Sequence, residues 1–333
     1  MRVERGQSTM HSVKLGRSGA MFGVKDQDQA ISEQVVRPRR RQRSLSDTAL
    51  IRLLLIPTLG LLIAFNIFPL LYSLYLSFTS YSAIANQPPV WVGLQNYRDI
   101  LNSDQLWIYF RNTGRFALLS VSLQTIIGFG LALLLREQFR GSGIITTLIL
   151  IPMMLSPVVV GLFWKLMYDP SYGIFNYLLG YPPGRGPQWL ASPDLALWAI
   201  VIVDVWMWSP FVMLLCLAGL GAIPDYLYEA AEIDRAGTLY QFWRITLPQV
   251  APLLLIAVLF RTIEAFKTFD LVMGLTGGGP GDATELVAVN LYRMAFLGQW
   301  NTGRASALAY IVLVIIIGVS NIYIKYLNRI REG

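Results

Sequence analysis

The sequence predicts an all-α integral membrane protein with six transmembrane helices and a helical hairpin between the fourth and fifth. Hydrophobic residues make up 54% of the 333 residues and charged residues only 14%, whereas soluble domains carry about 25% charged residues. Six apolar runs approach or exceed the ~20 residues that cross about 30 Å of hydrocarbon. Lipid offers the backbone no hydrogen-bond partners, so these runs must be helices. They lie near 50–76, 112–135, 144–167, 195–219, 250–273 and 304–327.

Residues 1–46, before the first run, are polar, mixed in charge and without apolar periodicity. This composition predicts a disordered basic arm, followed by a transmembrane domain over residues 47–333. The run Arg37–Arg43 adjoins the first apolar stretch and is typical of a positive flank that keeps an N-terminus in the cytoplasm. A nuclear or nucleic-acid signal is the alternative interpretation of such a run.

The distribution of cations predicts the orientation of the spans. One set of connections is rich in Lys and Arg, while the longer connections on the other side contain few. The rich set holds 37–43, Arg52, Arg136, Arg140, Arg235, Arg244, Lys325, Arg329 and Arg331, and the poor set chiefly Arg98, Arg185 and Arg293. The positive-inside rule therefore places both termini and the hairpin in the cytoplasm.

Several classes of function are excluded by composition and motifs. Cys216 is the only cysteine and His11 the only histidine, so internal disulfides, His-based metal sites and Ser–His chemistry are not expected. The net charge of +7 lies largely in the arm and at helix ends, which argues against a nucleic-acid partner. No G-x-x-x-x-G-K-[ST] motif occurs, and Gly277–Gly281 is predicted to be a tight loop. Any ATP chemistry must therefore come from a separate subunit.

The segment between the fourth and fifth runs predicts two short amphipathic helices joined by a turn. Asp225 is expected to cap the first helix, and Gly237 to close it in the left-handed conformation. Thr238 and Gln241 form a capping-box pattern for the second helix. Pro248 is expected to end that helix before the fifth apolar run.

This hairpin, residues 224–248, resembles the EAA loop of the membrane subunits of ATP-binding-cassette importers. The family pattern is Glu-Ala-Ala, three residues, Gly, nine residues and Ile-x-Leu-Pro. The matching residues are Glu229, Ala230, Ala231, Ile245, Leu247 and Pro248. Arg235 stands where the family has glycine and Gly237 follows two residues later, so the turn is expected to be shifted or capped differently.

Further segments are similar to the carbohydrate-uptake branch of that family, which includes permeases for maltose, lactose and glycerol-phosphate compounds. The resemblance covers roughly residues 49–327. The segments are 69–78, 92–98, 203–211, 260–270 and 276–281.

The resemblance implies the type I ABC importer permease fold in a bacterial cytoplasmic (inner) membrane. It also implies pairing with a second, homologous permease subunit, two ATPase subunits beneath and a periplasmic solute-binding protein above. ATP and Mg would bind to the ATPase partner, with no cofactor on this chain, and the chain would be no enzyme.

The resemblance assigns the hairpin a role in ATPase coupling. Glu229 is then the residue most directly tied to docking, Ala230 and Ala231 allow close packing, and Asp234 or Arg235 lie on the rim. A solvated connecting helix without a partner is the structural alternative.

Four charged residues recur every three positions in the fifth run: Arg261, Glu264, Lys267 and Asp270. Each unpaired charge at mid-bilayer costs about 2.5–3.5 kcal/mol on insertion scales. We therefore expect a ladder in which each charge meets the next with opposite sign, facing the bundle interior or a water-filled path. The ladder is either a structural lock or gate, or part of the solute pathway.

The fourth run carries a second polar point, Asp204, near Trp206 and Trp208. A carboxylate that accepts hydroxyl hydrogen bonds, beside an indole that stacks on a pyranose ring, suits a sugar site. We therefore take Asp204 and Trp208 as solute-pathway candidates. Both tryptophans could instead serve packing or the membrane interface.

Together these patterns predict the permease subunit of an ATP-driven, binding-protein-dependent importer of a sugar or sugar-like solute. The main alternative is a secondary transporter driven by an ion gradient, with the fifth-run charges as its relay. A membrane-embedded enzyme would need a carboxylate or metal-binding set in an aqueous loop, and the sequence has none at informative spacing.

Overall fold

The computed structural model describes residues 47–85, 87–137, 139–298 and 300–332. The predicted disordered arm, residues 1–46, lies outside these described residues. The α-helices are α1 (Asp47–Leu62), α2 (Phe68–Ser77), α3 (Gln95–Leu101), α4 (Asp104–Leu135), α5 (Ser142–Met154), α6 (Pro157–Met167), α7 (Ile174–Leu178), α8 (Pro193–Gly221), α9 (Tyr226–Ile233), α10 (Thr238–Gln241), α11 (Leu247–Lys267), α12 (Asp270–Leu275), α13 (Val287–Phe296) and α14 (Thr302–Glu332). Two π-helical turns occupy Ile63–Ile67 and Phe242–Thr246.

The predicted all-α membrane architecture is confirmed over the described part of the chain. Five helices there are long and apolar enough to cross a membrane, and one bent pair can form a sixth span. The five are Ile51–Ser77, Asp104–Leu135, Pro193–Gly221, Thr238–Lys267 and Thr302–Ile330, and the bent pair is α5 with α6.

The described residues divide into two units, with the boundary between Leu61 and Leu62. Of the first unit the structure describes residues 47–61, which lie in α1 and include Pro57. Proline lacks the N–H that an interior helical position normally donates. Near it, the Thr58 hydroxyl donates to the Leu54 carbonyl at 2.8 Å.

The centre of the second unit is the contact between α4 and α8. A Cβ atom on Gly128 would lie 2.6 Å from the Ser209 carbonyl oxygen and 2.7 Å from the Val212 Cβ. Glycine at this position therefore lets the two backbones touch. Helix α11 packs against both α4 and α8, and the three helices together hold the polar groups of the site.

The third apolar run, predicted as a span over 144–167, consists of two helices rather than one continuous helix. Helices α5 and α6 meet at 98°. The residue before a proline is disfavoured in the α region, and Ser156, which precedes Pro157, is extended with ψ 131°. Leu155 is extended as well. Pro157 then starts α6, where its missing N–H costs nothing.

The fifth run is also divided differently from the predicted 250–273. The helix is continuous from Thr238 through the π turn to Lys267, so Pro248 does not end the second hairpin helix as predicted. Pro248 lies instead in the first turn of α11, directly after the π turn. At the other end, Thr268 leaves the helical region with ψ 115°, and the chain re-enters a helix at Asp270.

The hairpin exists as predicted, but its turn is built by other residues. Arg235 takes the left-handed conformation with φ 55°. The Ala236 N–H donates to the Ala231 carbonyl at 2.8 Å and the Arg235 N–H to the Glu232 carbonyl at 2.9 Å. These two hydrogen bonds form a Schellman motif with arginine at the position that favours glycine.

The caps predicted at Gly237 and Thr238 were wrong, and Asp225 is at its predicted position but makes no capping hydrogen bond. Gly237 is extended (φ −64°, ψ 157°) and precedes the second helix, so it does not close the first one. Asp225 occupies the predicted N-cap position without a side-chain cap hydrogen bond. Thr238 is the first residue of α10 rather than its cap, and Gln241 donates to the Ala236 carbonyl at 3.0 Å.

The sequence analysis placed the left-handed residue at Gly237, whereas the structure has it at Arg235. Substitutions at these two positions should therefore change stability in the opposite way to that expected from the sequence. Arg235→Gly should raise the free energy of unfolding by about 1 kcal/mol, because a left-handed non-glycine residue is strained by about 1–2 kcal/mol. Gly237→Ala should be neutral or stabilising by about 0.5 kcal/mol, since nothing lies within 4 Å of its added Cβ and alanine lowers unfolded-state entropy. Thermal unfolding in detergent measures both. A loss of stability in Gly237→Ala together with a loss in Arg235→Gly would contradict the observed turn.

Candidate functional site

A small cavity lies where α8 and α11 meet the first residues of α6 and α12. All six residues predicted for the solute pathway line it: Asp204, Trp208, Arg261, Glu264, Lys267 and Asp270. The two helix breaks create this site, because they bring Pro157 of α6 and Leu271 of α12 to its wall.

A buried polar network forms one wall of the cavity. The Gln124 Nε2 donates to Asp204 Oδ2 at 2.6 Å, and the Arg261 Nε donates to Gln124 Oε1 at 2.8 Å. The Arg261 guanidinium lies 3.4 Å from the Asp204 carboxylate. Asp204 is 1% exposed and Arg261 2% exposed, so the three side chains tie α4, α8 and α11 together inside the bundle.

Trp208, the predicted pathway residue, and Trp206 have different surroundings. The Arg261 Cζ lies 4.5 Å from the Trp208 ring centroid, a distance typical of a cation–π contact. Trp208 is half-buried and lines the cavity. Trp206 is exposed and meets Trp164 edge-on with ring centroids 5.4 Å apart. Of the two, Trp208 is thus the one at the cavity.

The predicted charge ladder is correct for one pair only. Lys267 Nζ lies 2.7 Å from Glu264 Oε1, and both side chains are about half exposed. Arg261 forms its ion pair with Asp204 instead of Glu264. Arg261 is 2% exposed and reaches the Asp204 carboxylate on α8, whereas the Glu264 side chain is 54% exposed. Asp270 lies beyond the end of α11, at the start of α12.

The cavity wall offers both signs of charge and two aromatic side chains, Trp208 and Phe269. Carboxylates accept hydrogen bonds from hydroxyl groups, and ammonium and guanidinium groups donate to them. An indole face provides apolar contact beside these groups. This arrangement can bind a polyhydroxylated solute with an apolar ring face.

Gln124 is the member of the site that sequence reasoning missed. It is fully buried and bonds to both charged partners of the network. A glutamine in the middle of the second apolar run was the available signal, since polar groups at membrane depth are costly without partners.

The hairpin presents a separate groove. Its lining includes four of the six predicted coupling residues, namely Ala230, Ala231, Asp234 and Gly237. Tyr240 and Arg244, which were not among those six, line it as well. Glu229 and Arg235 are exposed beside it, outside the lining. Ile233 and Leu239, at 82% and 72% exposure, leave large apolar side chains at the turn.

Glu285, in the connection after the glycine-rich loop, is a further buried charge that sequence reasoning missed. Its carboxylate is 2% exposed and lies 3.5 Å from the Arg293 guanidinium. Burial raises the pKa of Glu285, and the Arg293 charge opposes that shift. It lies outside the cavity lining described above.

Three comparisons relate this chain to known proteins. Residues 124–331 match the family model described as "Binding-protein-dependent transport system inner membrane component". The trehalose/maltose transport system permease protein MalF of Thermococcus litoralis is 38% identical over 84% of this chain and 94% of its own length.

Two other relatives align over a similar share of this chain and of their own length. The sulfoquinovosyl glycerol transport system permease protein SmoG of Agrobacterium fabrum is 34% identical over 86% of this chain and 93% of its own. The trehalose transport system permease protein SugA of Mycobacterium tuberculosis is 30% identical over 87% and 92%. A crystal structure of a bacterial ABC transporter involved in alginate import has a chain that shares the fold, with a TM-score of 0.70, 22% identity and coverage of 83% and 95%.

Proposed function

This chain belongs to the inner membrane components of binding-protein-dependent transport systems, and from that membership we propose its solute, its partners and its orientation. The family establishes the coarser function: the chain is a multi-pass inner-membrane permease subunit of an ATP-binding-cassette importer, and it is not an enzyme. The ion-gradient transporter considered from sequence is therefore not the function that the family supports.

The proposed solute is a sugar or sugar-like compound, and the proposed site is the cavity beside Trp208. The observation that carries this proposal is the convergence of Asp204, Trp208, Arg261, Glu264, Lys267 and Asp270 on one cavity. The names of the relatives, which refer to trehalose, maltose and sulfoquinovosyl glycerol, support the same class.

Trp208→Leu should lower uptake of the solute at least about tenfold, because it removes the indole face from the cavity and with it about 1.4 kcal/mol or more of binding free energy. Trp206→Leu is the matched control, since that indole is exposed outside the cavity lining, and it should keep most of the uptake. The assay is uptake of labelled trehalose and maltose into proteoliposomes with the complete complex. Equal uptake by the two variants would contradict the proposed site.

The proposed partners are a second, homologous permease subunit, two ATPase subunits and a periplasmic solute-binding protein. ATP and Mg belong to the ATPases. Both termini and the hairpin are proposed to lie in the cytoplasm, an orientation supported by the cations of the hairpin-side connections. The groove lined by Ala230, Ala231 and Asp234 is the proposed seat on the ATPase.

The proposed mechanism is alternating access. Closure of the two ATPases on ATP would draw the hairpins together and tilt the attached spans from inward-open to outward-open. Solute would then pass from the binding protein into the cavity, where a mixed-charge wall holds it weakly enough to be released. ATP hydrolysis would reverse the tilt and open the cavity to the cytoplasm.

Glu229→Lys tests the coupling role. Reversing this exposed charge beside the groove should lower ATPase activity stimulated by the loaded binding protein by about tenfold or more, because a like-charge contact at an interface costs several kcal/mol. Glu137→Lys, the same exchange at an exposed position near the end of α4, is the control and should leave stimulation close to wild type. Full stimulation in the Glu229→Lys complex would overturn the coupling role, and uptake that survives ATP depletion would overturn the ATP-driven function.

A further inference from the structure

The first hairpin helix is fastened to the end of α4 through one aromatic side chain. The Arg136 Cζ lies 4.1 Å from the centroid of the Tyr228 ring, within the range of a cation–π contact. Arg136 is the C-cap residue of α4, and Tyr228 lies on α9. Both are half-buried, which strengthens such a contact relative to an exposed one.

Tyr228 also reaches the second arm of the hairpin. Its hydroxyl lies 2.9 Å from the Thr246 hydroxyl, and Thr246 is the buried last residue of the π turn that leads into α11. We call the contacts of Tyr228 with Arg136 and Thr246 the joint. A second aromatic contact lies beside it, where the Phe129 ring of α4 and the Phe242 ring of the π turn have centroids 5.9 Å apart. The joint thus connects α9, the start of α11 and the end of α4.

The two helices that meet at this joint also meet again at the cavity. Gln124 lies twelve residues before Arg136 on α4, which is about 18 Å along the helix axis. Arg261 lies on α11 and donates to Gln124 at 2.8 Å. A movement of the hairpin reaches Arg261 directly along α10, the π turn and α11, whereas it reaches Gln124 through Tyr228 and Arg136.

Tyr228 and Arg136 lie outside the lining of the proposed ATPase seat. The groove lining includes Ala230, Asp234 and Gly237 but neither Tyr228 nor Arg136. Loss of the joint should therefore leave docking of an ATPase intact. It should change how far the movement of the hairpin is transmitted to the spans.

We propose that Arg136 and Tyr228 are positioning residues that make α4 move together with α11 when the hairpin moves, so that the Gln124–Asp204–Arg261 network shifts as one unit. This inference rests on the proposed function. Without the Arg136–Tyr228 contact, only the Phe129–Phe242 contact and the packing of α11 on α4 would couple the two helices near the hairpin. A smaller part of the hairpin movement would then reach the cavity wall for each ATP hydrolysed.

The test is the number of solute molecules imported per ATP hydrolysed, measured with the complete complex in proteoliposomes. Tyr228→Leu and Arg136→Met should each lower this ratio at least fivefold while the complex still assembles and hydrolyses ATP. Tyr228→Phe keeps the ring and Arg136→Lys keeps the charge, so both should retain more than half of the wild-type ratio. The double variant Arg136→Met with Tyr228→Leu should be no worse than Tyr228→Leu alone, because that single variant already removes the contact with Arg136.

Arg140→Met is the matched control for loss of a cation near the same helix end, since Arg140 is exposed, and its ratio should equal that of the wild type. An unchanged ratio in Arg136→Met would overturn the inference, as would losses that multiply in the double variant. If Tyr228→Leu fails to assemble, the comparison of Arg136→Met with Arg136→Lys decides by itself. A wild-type complex without ATP-driven uptake would instead refute the proposed function, so the two failures are distinguishable.

Discussion

Substitution of Arg261 by methionine is expected to lower the free energy of unfolding by about 3–5 kcal/mol and to stop solute uptake. Arg261 is 2% exposed and its guanidinium lies 3.4 Å from the Asp204 carboxylate. Removing one partner of a buried ion pair leaves an uncompensated buried charge, which destabilises the fold far more than removing both partners does. Thermal unfolding in detergent, beside uptake in proteoliposomes, measures both consequences.

Two companion variants separate the energetic role of Arg261 from its part in the pathway. The double variant Asp204→Asn with Arg261→Met removes both charges, so it should unfold within about 1 kcal/mol of the wild type while uptake stays low. Lys267→Met breaks only the exposed pair with Glu264 and should cost at most about 1 kcal/mol. An Arg261→Met protein that unfolds at the wild-type temperature would show that Asp204 is not buried as a charge.

Gly128→Ala is expected to lower the free energy of unfolding by about 1–3 kcal/mol, the usual cost of overpacking a filled interface. The added methyl group would meet the Ser209 carbonyl oxygen and the Val212 Cβ at 2.6 and 2.7 Å. Both belong to helix α8 close to its backbone, so only a separation of α4 from α8 can relieve the contact. Because this helix pair also carries Gln124 and Asp204, solute uptake should fall as well.

Gly130→Ala on the same helix is the matched control. Nothing lies within 4 Å of its added Cβ, and alanine is preferred over glycine inside a helix by about 0.5–1 kcal/mol. The two glycine variants should therefore shift the unfolding temperature in opposite directions. A shared direction would mean that α4 and α8 do not approach each other at Gly128.

Much of the site could be found from sequence because membrane burial makes polar residues conspicuous. Asp204 and Arg261 stand out in apolar runs, and both lie at the cavity. Which partner each charge takes did not follow from spacing. The sequence placed Arg261 in a ladder with Glu264, whereas the rotation of α11 and its contact with α8 join it to Asp204.

The hairpin illustrates the opposite limit. Its position and its resemblance to a known motif were legible from Glu229 to Pro248, yet every cap assigned from residue type was misplaced or lacked its hydrogen bond. Glycine propensity favoured Gly237 for the turn, but the register of the Schellman hydrogen bonds assigns that conformation to Arg235. The preference of the left-handed conformation for glycine is about 1 kcal/mol per residue. Packing of the helix against the bundle can outweigh it and determine where the helix ends.

The sequence by itself determined that this chain is helical, resides in a membrane and carries a hairpin between its fourth and fifth spans, because apolar length and backbone hydrogen bonding leave no other structure in lipid. Only the tertiary structure decided that α5 and α6 meet at 98°, that α11 stops at Lys267, and that Gln124 completes the ion pair of Asp204 and Arg261. These features depend on which helix faces pack against each other in the bundle. The composition of a single apolar run does not predict that packing.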